Sequence, residues 1–115
     1  MTPRSEPFHM PIDDLISKMV EEIVRTFDPV KVILFGSCAR GDAATGSDVD
    51  FLVVLPTAEN KREQTIAIRR ALVGFPVSKD IIVATPEEIE RYRNLVGSIL
   101  RPALREGKVL YERAG

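Results

Sequence analysis

The chain holds one cysteine, one histidine, no marked excess of either charge and no long apolar run. Cys38 alone cannot form an internal disulfide, which excludes a disulfide framework and suits a reducing compartment. His9 lies in a proline-punctuated start and is not expected to be catalytic. Lys and Arg number 16 against 17 Asp and Glu, a formal net charge of −1. No global basic field follows, so direct nucleic-acid binding is not expected. No apolar stretch approaches the roughly 20 residues of a membrane span. Residues 1–10 lack the apolar core of a signal peptide. These absences predict a soluble, cytoplasmic protein with no membrane partner. Internal repeats and low-complexity segments are missing too.

What is present fits one domain. A chain of 115 residues has room for a real core, burying about two-thirds of the surface it exposes when unfolded. It leaves no space for a second substrate domain. Residues 1–11, with Pro3, Pro7 and Pro11, read as a flexible lead-in to a single domain over 12–115. Ile12, Leu15, Ile16, Met19, Val20, Ile23, Val24 and Phe27 recur at helical spacing, with Asp13 and Asp14 in the first turn and Asp28-Pro29 as the stop. Lys31–Phe35 and Phe51–Leu55 read as buried strands. Residues 58–73 suggest a helix with Ile66, Ile68, Leu72 and Val73 among its apolar positions. Val77–Val83 is a third strand. Thr85-Pro86-Glu87-Glu88 spells a capping box with proline at the first helical position. The helix after it should carry Ile89, Tyr92 and Val96 inward and break or kink at Gly97 and Pro102. Lys108–Tyr111 suggests a short edge strand. The alternation of helices and strands predicts an α/β (α+β) fold, a small mixed sheet with flanking helices.

The chemistry concentrates between residues 36 and 50. A Gly36-Ser37 pair closes one apolar run, and Asp48 and Asp50 open the next. Side chains alternate along a strand, so both carboxylates should share one face while Val49 points into the core. Mg²⁺ takes one or two carboxylates together with water and substrate phosphate. Gly36 allows a positive φ and close backbone approach, and Ser37 adds a hydroxyl and an N–H. If Cys38-Ala39-Arg40 begins a short helix, that end favours an anion and Arg40 could meet a triphosphate. Gly46-Ser47 looks like the return turn. A short link between the first two strands predicts an antiparallel pair. A helical crossover permits the second and third to run parallel, bringing Asp80 to the same sheet edge. Phosphate beside a divalent cation means nucleotide chemistry.

Gly36-Ser37, ten residues, then Asp48-Val49-Asp50, with Asp80 on a later strand, resembles the DNA polymerase β-type nucleotidyltransferase superfamily over roughly residues 12–111. The short chain, the Gly-Ser-x-Ala-Arg-Gly loop over residues 36–41 and the tail from Ala103 to Glu112 resemble the minimal nucleotidyltransferases, MntA-like antitoxin partners of HEPN toxins among them. The resemblance implies the nucleotidyltransferase fold, two Mg²⁺ ions and ATP as substrate. It makes Asp48 and Asp50 metal ligands, with Asp80 completing one site and helping to activate the acceptor hydroxyl. Gly36 and Ser37 would hold the β- and γ-phosphates, with Arg40 and Ser47 also expected to bind nucleotide. The implied reaction transfers AMP from ATP to a tyrosine hydroxyl of a HEPN-domain toxin, so that the protein acts as an antitoxin.

Other roles compete. The chain could neutralise a toxin by covering it, without catalysis, or transfer a nucleotide to a small molecule or RNA with a partner chain supplying the acceptor site. A homo- or hetero-oligomer would cover exposed apolar helix faces. Asp42 reads as a solvated loop residue, Cys38 as a small residue beside the loop, and Tyr92 and Tyr111 as packing residues with a polar tip. Lys61-Arg62 and Arg69-Arg70 read as a solvated helix face that could touch nucleotide or an acidic partner.

Overall fold

The apolar runs become the inner strands of a sheet covered on both sides, which is why they read as runs and not as alternation. The computed structural model describes residues 12–36, 49–57, 59–92 and 107–113. Helix α1 spans Ile12–Phe27, β1 Lys31–Phe35, β2 Val49–Val54, α2 Lys61–Ala71, β3 Lys79–Ala84, α3 Pro86–Tyr92 and β4 Lys108–Glu112. The strands form one mixed sheet in the order β3-β2-β1-β4. β1 pairs antiparallel with both β2 and β4, and β2 pairs parallel with β3. The α+β reading of the sequence is therefore the fold observed.

One face of the sheet carries the larger core. Leu15, Ile16, Met19, Val20 and Ile23 of α1 and Ile68 of α2 pack, with Leu72, against Val32, Leu34, Val49, Phe51, Val53, Ile81 and Val83. The opposite face gathers Ile33, Leu52, Val54 and Ala84, with Phe35, Ile82 and Ile89 of α3 against them. Helix α1 ends as its sequence suggests. Asp28 turns left-handed at φ 49°, its N–H donating to the Val24 carbonyl at 3.1 Å. Short polar side chains tolerate this conformation.

Several boundaries differ from expectation. Strand β2 begins at Val49 instead of Phe51, because the ladder to β1 and β3 extends through Asp50. Strand β3 begins at Lys79, because Val77 N–H turns back to the Phe75 carbonyl at 2.8 Å. Helix α2 is shorter than residues 58–73. Asn60 caps it by accepting the Glu63 N–H at 3.1 Å. Of its four expected apolar positions only Ile68 and Leu72 are buried, whereas Ile66 and Val73 are exposed. An i, i+4 pair shares a face, and the other two lie off it. Strand β4 runs one residue further, to Glu112. The side chains of Tyr92 and Val96 and the break at Gly97 and Pro102 lie outside the described residues, as does the lead-in over 1–11.

The capping box forms as written. Glu88 N–H donates to Thr85 Oγ1 at 3.2 Å, and Thr85 N–H donates to Glu88 Oε1 at 3.0 Å. Lys61 Nζ meets the other Glu88 oxygen at 2.5 Å. That ammonium, followed by the Thr85 N–H and hydroxyl, holds the Glu88 carboxyl below its ordinary value against the opposing effect of burial. The unfolded chain therefore binds the proton more readily than the folded one. Glu88 contributes stability above pH 4.5, the ordinary glutamate value, and loses it as pH falls through the lower folded value. Denaturant titrations should show wild type and Glu88→Gln differing near neutrality and converging in acid. Thr85→Ala should cost about 1 kcal/mol by the same measurement.

Candidate active site

Topology decides which strand ends meet. Because β1 is antiparallel to β2 and β2 is parallel to β3, the end of β1 and the starts of β2 and β3 lie at one end of the sheet. Phe35 is in register with Asp50, and Asp50 with Asp80. Register partners in adjacent strands sit about 4.8 Å apart and leave the same face. Asp50 and Asp80 are thus neighbouring carboxylates, and Val49 between the expected pair is fully buried on the other face. Gly36, Asp50 and Asp80 thus lie at one end of the sheet, while Asp48 and Ser37, expected to join them, lie outside the described residues.

Gly36 fits this end for two separate reasons. Its φ is +79°, which L side chains rarely adopt. A Cβ placed on it would also overlap Asp50 Oδ2 and approach Asp50 Cγ at 3.2 Å. The backbone after β1 therefore lies directly against the Asp50 carboxylate. Only a residue without a side chain permits that approach.

Asp80 has a partner that sequence reading treated as part of a solvated face. Arg69 Nη2 lies 3.1 Å from Asp80 Oδ1. The clue was positional: a helix that crosses between parallel strands ends near the start of the second strand, so its last-turn cations fall beside that strand. Lys79 precedes Asp80 but turns away from the carboxylates. Its Nζ donates to the carbonyls of Phe75 at 3.0 Å and Val77 at 2.8 Å, and burial lowers its pKa from the ordinary lysine value. Lys79 thus fastens the loop that delivers β3 to the site.

Asp48, Ser37, Arg40 and Ser47 lie outside the described residues, together with Cys38, Asp42 and His9. Among the described residues no group of three His, Cys, Asp or Glu is gathered for a metal ion. Asp50 and Asp80 form a pair, and the sequence puts Asp48 two residues before Asp50. Such a donor set, all hard carboxylate oxygen, fits Mg²⁺ and not a thiolate- or imidazole-seeking metal. Tyr111 is in register with Val32 and packs partly buried against the main core, as a packing residue should. A groove of about 590 Å³ beside α1, lined by Lys18, Val24, Phe75, Leu110 and Tyr111 among others, contains none of the candidate site residues.

The sequence pattern of the nucleotidyltransferase domain matches residues 16–108, which takes in all three strand ends. The chain belongs to the nucleotidyltransferase domain family. Solved structures agree with that membership. A Sulfolobus solfataricus protein described as a candidate nucleotidyltransferase is 26% identical, with a TM-score of 0.61 over 87% of this chain and 79% of that one. A candidate minimal nucleotidyltransferase, also 26% identical, has a TM-score of 0.54 over 87% of this chain and 96% of its own. A toxin–antitoxin structure with AMP-PNP shares the fold at 20% identity, with a TM-score of 0.55 over 84% of this chain and 73% of that one. No curated protein matches the chain. Among its described residues this nucleotidyltransferase has no helix long and apolar enough to cross a membrane.

Proposed function

We propose that the protein transfers AMP from ATP to a hydroxyl, that of a tyrosine on a HEPN-domain toxin, and so acts as an antitoxin. The observation that carries the reading is the convergence of Gly36, Asp50 and Asp80 at one sheet end. Family membership supports nucleotidyl transfer, and the toxin–antitoxin structure that shares the fold supports a toxin partner and an adenine nucleotide.

Asp48, Asp50 and Asp80 would hold two Mg²⁺ ions. When bound, divalent cations of this kind neutralise charge on the attacking and leaving oxygens. The backbone after β1, at Gly36 and Ser37, takes the β- and γ-phosphates, aided by Arg40 and Ser47. The acceptor oxygen bonds to the α-phosphorus as the bond from that phosphorus to the bridging oxygen breaks. Pyrophosphate leaves, and the hydroxyl proton is lost to Asp80 or to water, with Asp80 helping to activate the acceptor. The chain's own share is to hold these groups in line, which supplies most of the rate enhancement in reactions of this type. The domain extends over residues 12–115 with 1–11 as a lead-in.

The test uses purified protein, α-labelled ATP, Mg²⁺ and the product of the adjacent gene. Label on a tyrosine of that protein is expected, lost with Asp48→Ala or with chelator. A stable complex that blocks the toxin without transfer would replace this reading by a non-catalytic antitoxin. Label on RNA or a small molecule instead would move the acceptor and keep the transferase.

A further inference from the structure

We propose that Arg69 is a positioning residue that competes with divalent cation for Asp80, so that this carboxylate is released to metal only when the site is loaded. The proposal rests on the reading of Asp80 as a metal ligand. Its own observation is the ion pair from the last turn of α2 to the start of β3, at 3.1 Å.

The faces of the sheet explain the geometry. Ile81 and Val83 belong to the core beneath α1 and α2, so Asp80 belongs to the opposite face with Ile82 and Ala84. Helix α2 packs on the first of these faces through Ile68. Its neighbour Arg69 therefore meets Asp80 round the outer edge of β3, the last strand in the sheet order. A carboxylate drawn toward that edge is drawn away from the centre it would share with Asp50.

The charges supply the reason for such a pair. Like charges in register on adjacent strands repel. Asp50 and Asp80 are such a pair, and a guanidinium on one of them offsets the repulsion while no cation is present. The guanidinium N–H occupies a lone pair of Asp80 Oδ1, and its positive charge opposes a second cation on the same carboxylate. Loading the site thus trades one cation for another. The side chains of Arg69 and Asp80 are 52% and 57% exposed, which keeps the pair weak enough to exchange.

Mn²⁺ binding to the nucleotide-free protein, followed by electron paramagnetic resonance of the unbound ion, tests this without any turnover. Arg69→Gln should tighten Mn²⁺ binding roughly threefold, the scale that an exposed ion pair permits. Arg69→Lys, which keeps the charge, should stay near wild type. In an Asp80→Asn background the effect of Arg69→Gln should vanish, because the two residues act as one unit. If Asp80→Asn weakens Mn²⁺ binding but Arg69→Gln leaves it unchanged or weaker, the competition is refuted and Asp80 remains a ligand. If Asp80→Asn leaves Mn²⁺ binding untouched, the ligand reading itself fails and takes the competition with it. Both side chains are exposed, so each variant should retain the fold, checked by its circular dichroism.

Discussion

Asp50→Asn is expected to lower AMP transfer by about 10³-fold, near 4 kcal/mol of lost transition-state stabilisation, while leaving the protein as stable as wild type. The two effects separate because they have different physical origins. The exchange replaces one carboxylate oxygen by an amide nitrogen, which donates where a metal needs a lone pair. Shape and volume are nearly unchanged, so the buried flanks at Val49 and Phe51 keep their packing. The repulsion between Asp50 and Asp80 is also relieved, since they face each other in register. Such pairs cost about 0.2–1 kcal/mol. Against that relief stand the interactions of Asp50 itself and the Arg69 guanidinium already on Asp80, so the melting temperature should stay within about 2 °C of wild type. A residue retained for packing would behave in reverse, with stability falling and transfer surviving. Calorimetry beside a single-turnover transfer assay separates the cases. Equal loss of both would mean that Asp50 serves the fold and not the chemistry.

The parts of this fold that sequence reading anticipated are those where a local rule and the tertiary packing agree. Helix α1 carries its apolar residues along one stripe and has a stop signal at Asp28-Pro29, so its ends match the expected ones. Strand β1 is apolar because both sheet faces are covered, and the reciprocal hydrogen bonds at Thr85 and Glu88 follow from a four-residue motif. Helix α2 was less legible. Ile66 and Val73 are as apolar as Ile68, but an eleven-residue helix offers the core a narrow stripe, and hydropathy alone does not say where it falls. Asn60 could have fixed its start, since its side chain stands three residues before Glu63.

The candidate site divides along the same line. Gly36, Asp50 and Asp80 follow from motif spacing plus one topological inference, and in the structure Asp50 lies in register with Asp80 while Gly36 lies against Asp50. Arg69 was not anticipated as a partner because it belongs to the site only through packing. Nothing in its neighbours distinguishes it from Arg70, which is equally basic and one step round the helix. Only the position of α2 under the sheet, fixed by Ile68 and Leu72, sends one arginine toward Asp80. Candidate site residues that a motif spaces can thus be read from the chain, whereas a partner brought in by packing requires the fold.

Gly36→Ala should damage both stability and transfer, because it acts on backbone and site together. The φ of +79° is one that alanine enters only with strain, at about 1 kcal/mol or more. Relaxing φ would swing the chain at the end of β1, where Phe35 is in register with Asp50. Keeping φ would drive the new methyl group into Asp50 Oδ2. Either response displaces the carboxylate, by a shift of the order of 1 Å, and misplacement on that scale can cost about 10²-fold in rate. The expected result is a loss of transfer of about 10²-fold with about 1–2 kcal/mol of stability, seen together in a kinetic assay and a denaturant titration. Asp50→Ala supplies the control. In the Asp50→Ala background the methyl group has room, so the contact contribution should disappear and only the φ strain remain. A Gly36→Ala penalty on stability that is the same in both backgrounds would mean that the glycine answers to backbone conformation alone, and that its approach to the carboxylate is incidental. A penalty that shrinks would tie the left-handed turn after β1 to the position of Asp50, the first being the means by which the backbone comes near enough to meet a phosphate beside the second.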